Sequence, residues 1–144
     1  MNENCVYGKQ SLDGLTHGRG YVYYLKYHIV WCTKYRRPVL EGAVRDVCID
    51  LIMSAASDQG ASVDAIEVMP DHVRVLVSAS PQVNIPNLIK VMKGNSARSV
   101  LLHNPSVKKS LWGGHLWNPS YCVVTVSDRT EEMIRSYIEN QEVR

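Results

Sequence analysis

Between Tyr21 and Thr33 nearly every residue is aromatic, aliphatic or β-branched (YVYYLKYHIVWCT), a density that predicts a strand. KYRRP closes it with charge and a proline. From Gly42 to about Asp58 the period changes: Val44, Val47, Cys48, Leu51, Ile52 and Ala55 recur at helical spacing, and Gly60 supplies the stop. Alternation returns in SVDAIEVM (62–69). After a turn at MPD it continues in HVRVLVSA, so the two read as a hairpin. Pro86, following Asn84, opens a second helix through NLIKVMKGNSARSVLLH, with Leu88, Ile89, Met92, Val100 and Leu101 as its apolar positions. A looser, Trp-containing stretch (104–119) leads to a strand, YCVVTVS (121–127). Thr130 is expected to cap a last helix that has Glu131 and Glu132 in its first turn.

The resulting order, β-α-β-β-α-β-α, predicts a ferredoxin-like α+β sandwich: an antiparallel sheet from two β-α-β halves, with an additional C-terminal helix. Residues 1–20, rich in Gly, Ser and Asn, read as a flexible N-terminal arm, and 21–144 as one domain.

Composition narrows the partners only slightly. A chain of 144 residues, 45% hydrophobic and 21% charged, suits a single domain with its own core. The net charge of +2 means that affinity for nucleic acid has to come from local clusters. Cys5, Cys32, Cys48 and Cys122 include no C-x-x-C pair, and three lie in apolar runs, the pattern of reduced thiols. No apolar run approaches the roughly 20 residues of a membrane span, and the polar N-terminus is no signal peptide, so a cytoplasmic location is expected.

Chemistry enters with EVMPDHVRVLVSA (67–79). In a strand alternate side chains share a face, so His72 and Arg74 point the same way, a metal-ligand type beside a permanent cation. The plainer alternative is the polar face of an edge strand. In the last helix Tyr137 and Gln141 stand four apart, on one face. There Met133, Ile134, Tyr137 and Ile138 also form an apolar stripe, so packing competes with chemistry for the tyrosine. The run TKYRRP, with Lys34, Tyr35, Arg36 and Arg37, and the run IKVMKGNSAR, with Lys90, Lys93 and Arg98, offer cations for phosphates and a ring for base stacking. Solvated surface is the alternative for each.

The segments KYHIVWCTKYRRPVL (26–40), MPDHVRVLVS (69–78), IKVMKGNSAR (89–98), LWNPSYCVVTVS (116–127) and YIENQ (137–141), in this order, resemble the single-tyrosine HUH transposases, the small TnpA type of bacterial insertion sequences. The resemblance covers about residues 21–142. It implies a homodimeric recombinase of single-stranded DNA that recognises hairpin ends, with composite active sites. Tyr137 matches the nucleophile, which forms a 5′-phosphotyrosine and frees a 3′-OH. A divalent ion, Mg²⁺ or Mn²⁺, polarises the phosphate, held by two histidines one residue apart and by a glutamine; His72 and Gln141 match two of the three.

Arg74 stands where the family pattern has the second histidine. A guanidinium has no lone pair for a metal. A unit charge about 4 Å from a divalent ion costs on the order of 8 kcal/mol at an effective dielectric near 20. The expectation is weakened metal binding and lost or reduced cleavage, through decay, repurposing or deliberate inactivation, unless Arg74 grips the scissile phosphate itself. An enzyme and a non-cleaving hairpin-binding module therefore both stand, with a ferredoxin-like regulatory domain as the third reading.

Overall fold

The computed structural model describes residues 9–10 and 15–143. Three short strands come first, β1 (Lys9–Gln10), β2 (Thr16–Gly18) and β3 (Tyr21–Tyr23), paired antiparallel in that order. Gly20, at φ +82°, makes the left-handed step between β2 and β3 that a side chain would resist. The boundary expected at residue 21 thus runs through a hairpin. Within the expected arm, residues 16–20 belong to that hairpin, while 1–8, including Cys5, and 11–14 lie outside the described residues.

The body follows as β4 (Lys26–Cys32), α1 (Gly42–Asp58), β5 (Ser62–Met69), β6 (His72–Ser78), α2 (Ile85–His103), α3 (Pro105–Ser110), β7 (Cys122–Thr125) and α4 (Thr130–Glu139). Its four-stranded sheet has the order β5-β6-β4-β7, antiparallel throughout, which is the ferredoxin-like arrangement. Period-2 alternation divides the sheet cleanly. Ile29 and Trp31 of β4 and Val73, Val75 and Val77 of β6 are fully buried against Cys48 and Ile52 of α1 and Leu88, Ile89 and Met92 of α2. Each such side chain contributes roughly 1.5–3 kcal/mol of burial free energy. The opposite face carries His28, Val30 and Cys32 of β4, His72 and Arg74 of β6, and Cys122 of β7. Across it lies α4, anchored by the buried Ile134.

Three expectations about the elements change. The strand expected over 21–33 is two strands, β3 in the small sheet and β4 in the large one, separated at Tyr24–Leu25. In the large sheet β6 and β7 flank β4, and β5 and β7 are the outer strands. The 104–119 stretch contains α3, started by Pro105 at the first helical position. Thr130 lies inside α4 and does not cap it: its hydroxyl donates to the Thr125 carbonyl at 3.0 Å, fastening the helix start to β7.

Candidate active site

The hairpin of β5 and β6 turns at Pro70–Asp71, with Met69 opposite His72. This short turn brings the Asp71 carboxylate beside the next residue's ring, 2.8 Å from His72 Nδ1. Its other oxygen accepts from Arg36 Nε at 3.1 Å. Burial opposes the Asp71 charge, yet the bonds from His72 and Arg36 outweigh it and hold the carboxyl below its usual pKa. A carboxylate on one ring nitrogen orients an imidazole and leaves Nε2 for a ligand.

Arg74, two residues on and on the same face, points its fork at Glu131 in the first turn of α4. Nη1 donates to Oε1 at 2.9 Å, and Nη2 to Oε2 completes the bidentate pair. The Glu131 bond raises the guanidinium's pKa and lowers that of the carboxylate. His28 lies close enough to be affected: burial first, then the Arg74 charge, lowers its pKa, and its buried Nδ1 has no hydrogen-bond partner among the described residues. Where a second histidine was expected, the chain therefore carries a cation already paired with a carboxylate.

The surroundings of Tyr137 are built differently. Tyr137 is half-buried on α4, and its hydroxyl lies 2.8 Å from Ser120 Oγ. Burial raises the phenol's pKa, the Ser120 bond works against that, and Cys32 and Cys122 add to the rise. Cys32 is the residue paired with His72, so Tyr137 stands over the end of the sheet that carries the imidazole. Gln141 lies just beyond α4, and its Nε2 donates to the Tyr137 carbonyl at 3.2 Å. On another side of α4 a cleft of about 340 Å³ is lined by Arg36, Arg74, Glu131, Ile134, Arg135, Ile138 and Glu139.

Do these donors fit a divalent ion? His72 does, with Asp71 behind it. Arg74 does not, and the Gln141 amide is turned to its own helix. Among the described residues no group of three or more His, Cys, Asp or Glu could hold a metal ion. As a set, the residues present do not fit the expected metal centre.

The basic runs separate into free and engaged cations. Lys34 lies over the Tyr35 ring at 5.1 Å, in a tight turn where Tyr35 and Arg36 both adopt φ near +55°. Arg36 is tied to Asp71, and the Nε of Arg37 is buried without a partner among the described residues. On α2, Lys90 and Arg98 are exposed, Arg98 leaning on Asn95 one turn away. Lys93 is engaged: its ammonium donates to the carbonyls of Asn118 at 2.7 Å and Ser120 at 3.1 Å, and burial lowers its pKa to about 8.

Asp71, Glu131 and Ser120 escaped the sequence reading. Asp71 adjoins His72 in the turn, a signal that could have been used. Glu131 is 57 residues from Arg74 and Ser120 is 17 from Tyr137, separations at which spacing carries no information.

Residues 21–141 match the family model described as "Transposase IS200 like". The chain is 52% identical over 124 residues to the ISDra2 transposase TnpA of Deinococcus radiodurans, covering 86% of this chain and 89% of that one. It is 26% identical over 116 residues to the transposase for insertion sequence element IS200 of Salmonella typhimurium, covering 81% and 76%. A solved structure from Deinococcus radiodurans R1 superposes with a TM-score of 0.85 at 49% identity, over 90% of this chain and 99% of that one. A REP-associated tyrosine transposase, solved bound to a REP hairpin, shares the fold at a TM-score of 0.55 and 13% identity, covering 83% and 66%.

Proposed function

Since the chain belongs to the IS200-like transposase family, we propose that it acts on single-stranded DNA with hairpin ends, with Tyr137 as nucleophile and a cleavage step impaired at Arg74. In this reading the Tyr137 oxygen gives up its proton and attacks a backbone phosphorus in line, the P–O3′ bond breaks, and the 3′-oxygen takes up a proton to leave as a hydroxyl. The 5′-phosphotyrosine keeps the bond energy, so the reverse attack by a 3′-OH rejoins strands without ATP. Hairpin DNA is the partner by analogy with the fold relative solved on a REP hairpin. Lys34, Tyr35, Arg37, Lys90 and Arg98 are the residues proposed to meet it, and a homodimer with composite sites is proposed as its form. The Mg²⁺ or Mn²⁺ ion expected of the family would have only His72 as a ready ligand, so metal-assisted activation of the phosphate is the part proposed to be weakened.

One observation supports this reading: Arg74, where the resemblance leads one to expect a second histidine, is paired bidentately with Glu131. The same observation favours a second reading, a family member that binds hairpins without cutting them. Cleavage separates the two. The chain and its Arg74→His variant are incubated with labelled single-stranded DNA carrying end hairpins, in Mn²⁺ or Mg²⁺, and adducts on Tyr137 are identified by denaturing gel and mass spectrometry. An adduct in the variant alone supports the impaired enzyme. Equal adducts in both overturn the role given to Arg74, and none in either leaves the binding module.

A further inference from the structure

We infer that Ser120 is a positioning residue for the Tyr137 hydroxyl, and that Lys93 acts through it by bracing the segment that carries it. The inference rests on the reading of Tyr137 as nucleophile, but the contacts behind it involve neither the His72 ring nor the Arg74 guanidinium. A phenol at the end of a helix can turn about two side-chain torsions, and an in-line attack tolerates little misplacement of the oxygen. Among the described residues its hydroxyl is held by one side chain, Ser120 Oγ at 2.8 Å. Ser120 is in a loop, where a side chain directs another only if its own backbone is fixed.

That backbone is fixed from three sides. The Asn118 N–H donates to the Cys32 carbonyl at 2.9 Å, continuing the ladder at the end of β4. The Asn118 side chain accepts from the Ser120 N–H at 2.9 Å, closing a local turn around Pro119. The Lys93 ammonium then reaches from α2 to the carbonyls of both Asn118 and Ser120. Lys93 is in turn located by its own carbonyl, which accepts from Trp117 Nε1 at 3.0 Å, and Trp117 packs edge-on against Trp31 with ring centres 5.8 Å apart. A half-buried lysine on a chain expected to bind DNA has thus given its donors to two carbonyls, and those carbonyls belong to the segment holding the nucleophile's partner. Its depressed pKa agrees with that enclosed position.

The test uses the full chain labelled with [13Cζ]tyrosine, the Tyr137 resonance being assigned by its loss in Tyr137→Phe. At neutral pH the 13Cζ shift reports the hydrogen-bonded state of the phenol. Ser120→Ala is expected to move the Tyr137 resonance and leave the other tyrosines in place, while Ser120→Thr, which keeps the hydroxyl, restores it. Lys93→Gln is expected to move the same resonance although the Ser120 hydroxyl remains. An unmoved resonance in Ser120→Ala overturns the inference, and one unmoved in Lys93→Gln overturns the brace. In an Arg74→His background Ser120→Ala should lower the rate of adduct formation about 10-fold with DNA affinity unchanged. A moved resonance with an unaltered adduct rate also overturns the positioning role. If the Arg74→His chain forms no adduct at all, the proposed function fails while the resonance shifts still decide the contact.

Discussion

At the scale of single residues, the Arg74–Glu131 pair is the feature most open to manipulation. Glu131 is exposed and Arg74 largely covered, so removing the carboxylate's charge frees a guanidinium fork that matches a phosphate. Glu131→Gln is expected to tighten binding of single-stranded DNA about 3-fold in metal-free buffer and to steepen its salt dependence by about 0.7, one more phosphate contact. Filter binding across a salt series measures both. Asp71 makes a second prediction. Its folded pKa is depressed, so its stabilising contribution is fully present above the ordinary carboxylate pKa and is lost as pH falls through the depressed one. Acid unfolding of Asp71→Asn should show a shallower loss of stability below about pH 4 than the parent chain. That His72 and Arg74 share a face was legible from strand alternation. Their partners were not, because a carboxylate 57 residues away meets Arg74 only after α4 has crossed the sheet.

At the scale of elements, local signals located starts and stops where the chemistry is local. Asn84 accepts from the Asn87 N–H at 3.0 Å and so satisfies one orphan donor of α2, with Pro86 in its first turn. Asn84→Ala should cost about 1 kcal/mol in urea unfolding, without changing DNA affinity. Gly60, at φ +87°, follows α1 as its composition implied. The misreadings came from tertiary competition. Thr130 has a good capping side chain, but the Thr125 carbonyl takes its hydroxyl. Tyr21–Thr33 is uniformly strand-forming, yet its first residues pair with β2 and its last with β6 and β7. Docking of α4 depends on Ile134, buried under the helix that bears Tyr137. Ile134→Ala should destabilise the chain by about 2–4 kcal/mol and raise amide exchange first in Thr130–Glu139.

At the scale of the molecule, the proposed homodimer predicts twice the chain mass in sedimentation at micromolar concentration, and a clean monomer would count against composite sites. Among the described residues no helix is long and apolar enough to cross a membrane, which agrees with the absence of any long apolar run. Legible without the fold were the main β-α-β-β-α-β-α order of the body, the ferredoxin-like sheet and the common face of His72 and Arg74, because hydrophobic period and turn residues act over a few positions. Tertiary structure alone decided that Glu131 neutralises Arg74, that Lys93 serves two carbonyls and that Ser120 holds the Tyr137 hydroxyl. Those contacts join segments 17 to 57 residues apart, and they exist only once burial of the core has fixed where α2, α4 and the segment before β7 cross the sheet.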